Sequence, residues 1–237
     1  MGSDGTRPPG CRNCPWPTLS TSRTTAPSSS PSGSAGGTER SPASAARPAA
    51  CAPPTASQEM GVVVVGWFSN GHPDSRQDTQ AFRWTDATGR QDLGNLNQGS
   101  ESIAEGTNRD GSVIVGQVKN REGFWHAFRW TRGGGMVDLG TLRNGALSAA
   151  SAVSADGSVI VGRSLITSFT GSERAFRWTT GTGKMEDVQR LLIDRGVTAV
   201  QGWILTTAVD VSADGKVIVG WGLNPDRRFE AWRAVLP

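Results

Sequence analysis

The chain has 237 residues with 31 Gly, 13 Pro, 9 Trp and no Tyr, and 36% of it is hydrophobic, too little for one ordinary packed core along its whole length. Its net charge of +3 hides a split: residues 1 to 60 hold 5 Arg against 3 acids, leaving 19 basic and 18 acidic residues in the rest. That remainder is nearly neutral and has no Lys/Arg cluster or stripe, which argues against a nucleic-acid partner.

Residues 1–60 are built from Pro, Ser, Ala, Thr, Gly and Arg, as in "TTAPSSSPSGSAGG", with almost no branched aliphatics. Such a segment buries too little apolar surface to offset its ordering entropy, and a disordered low-complexity leader is predicted there. Cys11, Cys14 and Cys51 all fall inside it. Cys11 and Cys14 have half the spacing of a zinc knuckle without the second half, so neither a metal nor any other cofactor is expected. The opening "MGSDGTRPPGCRNC" offers neither a signal peptide nor a membrane span.

From Gly61 the composition changes to short Val/Ile/Phe/Trp runs separated by Gly, Asp, Asn and Ser, and phrases begin to recur. "GVVVVG" at 61 returns as "GSVIVG" at 111 and 157 and "GKVIVG" at 215, and "AFRW" at 81, 127 and 175 returns as "AWRA" at 231. The units run about 61–99, 100–146, 147–200 and 201–237. Periods near 50 residues point to units that bury their faces only against neighbours.

Each unit parses into a small-residue strand, a Val/Ile strand, an aromatic strand and a short last strand, in the third unit at 148–154, 158–161, 175–179 and around Met185. In the aromatic strand Phe128 and Trp130 share one face, which should pack between units, while Ala127 and Arg129 share the other. Asp-Gly between the first two strands marks a tight hairpin, because both residues tolerate positive φ. One departure from all-β structure is "EDVQRLLIDRG" at 186–196, where Asp187 as N-cap and Val188, Leu191 and Leu192 at helical spacing predict a short helix over 187–195. The expected fold is all-β: an incomplete β-propeller of kelch-like four-stranded blades, about 3.5 repeats, with a β-solenoid as the alternative. The fourth unit stops before its last strand, so three complete blades and a partial one are expected. The chain then reads as the C-terminal part of a longer propeller, with self-association through open strand edges.

His126-Ala127-Phe128-Arg129-Trp130-Thr131, followed by Gly135-Met136-Val137-Asp138-Leu139-Gly140-Thr141-Leu142 and Ser154-Ala155-Asp156-Gly157, resembles the HAF-repeat proteins of bacteria. The other copies depart at the His, which becomes Gln80, Arg174 and Glu230. The resemblance covers residues 61–237 and implies a repeat architecture and an extracellular or cell-surface location.

Little in the sequence carries chemistry. His72 and His126 have no Ser, Cys or acidic partner at a recognisable spacing, so no enzymatic activity is expected. Asp110, Asp156 and Asp214 are turn residues, since single carboxylates fall far short of a calcium loop. Arg83, Arg129, Arg177 and Arg233 recur in the aromatic strands and are expected to pair across the sheet with Asp92, Asp138 and Asp187 of the next strand; a ligand-binding ring of arginines is the sharper alternative. The loops at 68–80, 118–125 and 164–174 vary between units, which makes Trp67, Phe124, Trp125 and Phe169 the ligand-contact candidates. The function read from this is a non-catalytic extracellular interaction scaffold for a protein or carbohydrate. A propeller-face hydrolase or lyase, or a fragment without function, are the alternatives.

Overall fold

The computed structural model describes residues 62–69, 79–96, 101–167 and 173–236. The expectations for residues 1–60, with all three cysteines, and those for His72 and Phe169 lie outside the described residues. The chain divides into a unit over Met1–Pro53 and one over Pro54–Pro237, and the described strands belong to the second.

The described residues of that unit are all-β apart from one short helix and brief 3-10 turns. Its strands form four antiparallel meanders. The first contains β1 (Val64–Ser69), β2 (Thr79–Thr85) and β3 (Gly89–Asp92). The second contains β4 (Ser102–Thr107), β5 (Val113–Lys119), β6 (Trp125–Thr131) and β7 (Gly135–Asp138). The third contains β8 (Ser148–Val153), β9 (Val159–Leu165), β10 (Glu173–Thr179) and β11 (Met185–Asp187), and the fourth β12 (Ile204–Val211), β13 (Val217–Leu223) and β14 (Phe229–Val235). Strands are hydrogen-bonded in sequence order within each sheet.

Among the described residues two sheets have four strands and two have three. The first sheet begins at the Val/Ile strand, because "GVVVVG" aligns with the second strand of the later units, and the last sheet ends at the aromatic strand.

Side-chain alternation explains how the sheets stack. In β5, Val113 and Val115 face forward into a cluster with Ala150, Ile160 and Phe176 of the third sheet. Ile114 and Phe128 face backward into a cluster with Ala81 and Leu93 of the first. The third sheet repeats the pattern, with Val159, Val161 and Ala175 forward against Leu205, Ile218 and Trp232. The Val-Ile-Val runs of the second and third sheets therefore each supply two adjacent cores. Phe128 and Phe176 are fully buried, each contributing roughly 1.5–3 kcal/mol by its transfer from water. Phe and Trp of the aromatic strand do share the backward face, as alternation predicted. The sheets pack first on second, second on third and third on fourth, and no closed ring is detected among the described residues.

The first strand of each later sheet carries a β-bulge, an extra residue at Glu105 between Ala104 and Gly106 and at Ser151 between Ala150 and Ala152. Opposite the bulge the glycine of "VIVG" is obligatory for space: a Cβ on Gly162 would lie 2.0 Å from the Ala149 carbonyl oxygen.

The predicted helix is α1 (Val188–Asp194), with the Asp187 side chain accepting from Arg190 N. It replaces a contact used twice elsewhere. Ser102 Oγ accepts from Ala81 N and donates to the Gly94 carbonyl, and Ser148 Oγ does the same with Ala127 N and the Gly140 carbonyl. Leu205 takes that position in the fourth sheet, and Gln189 of α1 accepts from its backbone N–H instead.

Candidate functional site

The recurring Asp-Gly turn is a contact between sheets. Gly157 N donates to the Ser154 carbonyl at 2.9 Å, and the turn closes with Ser154 N on the Val159 carbonyl at 2.8 Å. Of the Asp-Gly pair only the glycine takes positive φ, +74° at Gly157, so a tight turn leads into one left-handed residue. Asp156 Oδ1 accepts from Ser154 Oγ at 2.6 Å, from Ser158 Oγ at 2.8 Å and from Ser158 N at 3.0 Å. These bonds, the Ser154 hydroxyl foremost, lower its pKa from 3.8 to about 2. Asp110 and Asp214 are lowered in the same direction, chiefly by the hydroxyls of Ser112 and Ser212. Each carboxylate is engaged within its own turn, and among the described residues no group of three or more metal-ligating side chains occurs.

The turns also meet one another. Asn108 Nδ2 donates to the Ala155 carbonyl of the next sheet, and Ala155 N donates to the Ala213 carbonyl of the one after. Arg83 Nε reaches forward to the Gly111 carbonyl at 3.3 Å. The Nε atoms of Arg129 and Arg177 are buried in the same position of their units without a hydrogen-bond partner, and Arg233, with no sheet in front of it, is exposed.

The expected Arg–Asp pairing across the sheet does not form. Asp92, Asp138 and Asp187 stand opposite Phe82, Phe128 and Phe176, one residue away from the arginines, which face Gln91, Val137 and Glu186. One register step turns a side chain to the other face of the sheet. Asp92 instead lies 3.6 Å from Arg90, Asp187 caps the helix, and Asp138 accepts from His126 Nδ1 at 2.8 Å. The other ring nitrogen of His126 lies 3.4 Å from Asn120 Nδ2. The His126–Asp138 pair is missing from the sequence reading, although the β6–β7 hairpin brings its members together across twelve residues.

The ligand-contact candidates separate. Phe124 projects from the β5–β6 turn, 47% exposed. Trp67 and Trp125 lie on strands rather than loops, and the structure brings them to one cavity of about 620 Å³ at the junction of the first two sheets. Glu101, Glu105, Gln117 and Lys119 share its wall. The bulge places Glu105 there. Lys119 pairs with the Glu101 carboxylate and lies 5.3 Å from the centre of the Trp125 ring, a cation–π contact that fixes the indole as one wall. Trp67 is 54% exposed and presents its ring to solvent. Thr79, on the same wall, has a buried hydroxyl without a hydrogen-bond partner.

The matching cavity between the second and third sheets is about 150 Å³ and is lined by Trp125, Arg163 and Glu173 as well as by Gln117, Leu147 and Leu165. Gln117 stands where Trp67 does, Leu147 where Glu101 does, and Leu165 where Lys119 does. The second junction keeps one indole, Trp125, while the pair of indoles and the Glu101–Lys119 ion pair belong to the first.

No family model and no curated protein matches the chain. Among solved structures it is similar to one from Agrobacterium tumefaciens described as "putative TolB", at 13% identity and a TM-score of 0.47, over 74% of this chain and 58% of that one. The chain thus spans less than two thirds of that protein's length.

Proposed function

We propose that the chain is a non-catalytic interaction module of the extracellular or cell-surface HAF-repeat type, with propeller-like blades as its scaffold and a carbohydrate as its ligand. The cavity between the first and second sheets is the binding site. What carries this reading is the contrast between equivalent junctions: Trp67, Trp125, Glu101, Glu105 and Lys119 converge on a cavity of about 620 Å³ at the first, whereas the second, of about 150 Å³, has Gln117 in place of Trp67, Leu147 in place of Glu101 and Leu165 in place of Lys119.

The chemistry suits a sugar. Indole faces take the C–H face of a pyranose, and carboxylate, amide and ammonium groups beside them bond its hydroxyls. A volume of about 620 Å³ falls within the usual span for small-ligand sites, roughly 300–1,000 Å³. A two-carboxylate hydrolase is less well supported, because Glu101 is 6% exposed and tied to Lys119, leaving Glu105 without a free acidic partner. The resemblance carried by His126–Trp130 and its companion phrases supports the repeat type and the location.

A glycan array followed by calorimetry on the best ligand tests the reading. Trp125→Ala is expected to weaken binding about tenfold or more, as truncation of an aromatic anchor does. Turnover of any bound glycan, or binding unaffected by this change, would refute it.

A further inference from the structure

The three internal junctions follow one rule: the forward face of a sheet meets the backward face of the next. Ala81, Ala127 and Ala175 mark the forward faces, and all three are fully buried. Ile114, Ile160 and Ile218 mark the backward faces and are equally buried. The two ends of the series carry the same residue types uncovered. On the fourth sheet, Ala231 at the position of those alanines is exposed, as is Arg233, and Trp221 and Val235 on that face are 54% and 55% exposed. On the first sheet, Val64 at the position of the isoleucines is 44% exposed, and Phe82 is half-buried where Phe128 and Phe176 are fully buried.

We infer that the forward face of the fourth sheet docks the backward face of the first sheet of a second copy of this chain. The forward half of the junction is already built three times inside the molecule, and the backward face of the first sheet repeats the Val/Ile and aromatic strands of the receiving half, though not the small-residue strand that β4, β8 and β12 add at the internal junctions. Valines at 217 and 219 stand where Val113 and Val115 do, and Val64 and Phe82 stand where Ile114 and Phe128 do. The faces of the terminal sheets, rather than their strand edges, make the contact. Because two different surfaces meet, the association is head-to-tail and extends to rings or open chains instead of stopping at a two-fold dimer.

The full chain is tested by sedimentation velocity across a wide concentration range, with Ala231→Glu and Val64→Asp each placing a charge at an exposed position. Wild type is expected to form concentration-dependent oligomers, and each variant alone to sediment as a monomer with a thermal midpoint close to wild type. An equimolar mixture of the two variants is expected to give a one-to-one complex, since each retains the face the other lacks. A wild-type monomer at all concentrations would overturn the inference, as would oligomers surviving either substitution or a mixture that stays monomeric.

Discussion

Gly157 shows how much one residue of the repeated phrase does. Its φ of +74° is costly for any residue with a Cβ, and that Cβ would lie 2.5 Å from Val113 Cγ2 of the preceding sheet. Gly157→Ala is therefore expected to destabilise the fold by about 1–3 kcal/mol, and adding Val113→Ala should remove the clash while leaving the backbone strain. Denaturant melts of the two single variants and the double variant read the coupling; strict additivity would show that the turn does not press on the valine. The neighbouring Asp156 makes a separate prediction. Its folded pKa of about 2 lies below the ordinary 3.8, so its contribution is present above pH 4 and is lost as pH falls through about 2. Asp110 and Asp214 are shifted in the same direction, by the hydroxyls and backbone N–H groups of their own turns. Urea unfolding at descending pH should show stability falling across that window, and less steeply in Asp156→Asn. An identical slope in both proteins would remove Asp156 from the account.

At the scale of elements, the strand-to-sheet bridge through Ser148 is the clearest case. Its hydroxyl accepts from Ala127 N and donates to the Gly140 carbonyl, joining the third sheet to the second at a buried position. Ser148→Ala leaves both backbone groups unsatisfied and is expected to cost about 1–3 kcal/mol, read as a lowered midpoint in urea. A change within a few tenths would mean that the bridge is dispensable. The elements themselves were legible in the sequence, because the Val-Ile-Val run, the Phe/Trp pair and the Asp187 cap are local signals. Register was not. Whether Asp138 stands opposite Phe128 or Arg129 depends on one residue in the β6–β7 hairpin, and nothing in the spacing of "AFRW" and "MVDLG" distinguishes the two. The bridge through Ser148 was equally hidden, since a serine in a small-residue strand has no pattern that names its partner 21 residues away.

For the whole molecule, the repeated turn is how one sheet finds the next: Ala155 N bonds Ala213 O, Arg83 reaches Gly111 O, and each turn glycine sits on the valine of the preceding sheet. The candidate site is the place where this regular stacking carries irregular residues. Trp67 and Trp125 were visible individually as aromatic residues beside variable loops. Their convergence with Glu101, Glu105 and Lys119 was not, because the five come from two units and meet only when the first two sheets pack. Trp67 and Trp221 occupy equivalent strand positions and are equally exposed at 54%, but Trp67 faces the cavity and Trp221 faces no following sheet. Calorimetric titration of the selected glycan into Trp67→Ala and Trp221→Ala therefore separates a ring in the cavity from an equally exposed ring outside it. The account predicts about tenfold weaker binding in Trp67→Ala and wild-type affinity in Trp221→Ala; equal losses in both, or a loss confined to Trp221→Ala, would contradict it.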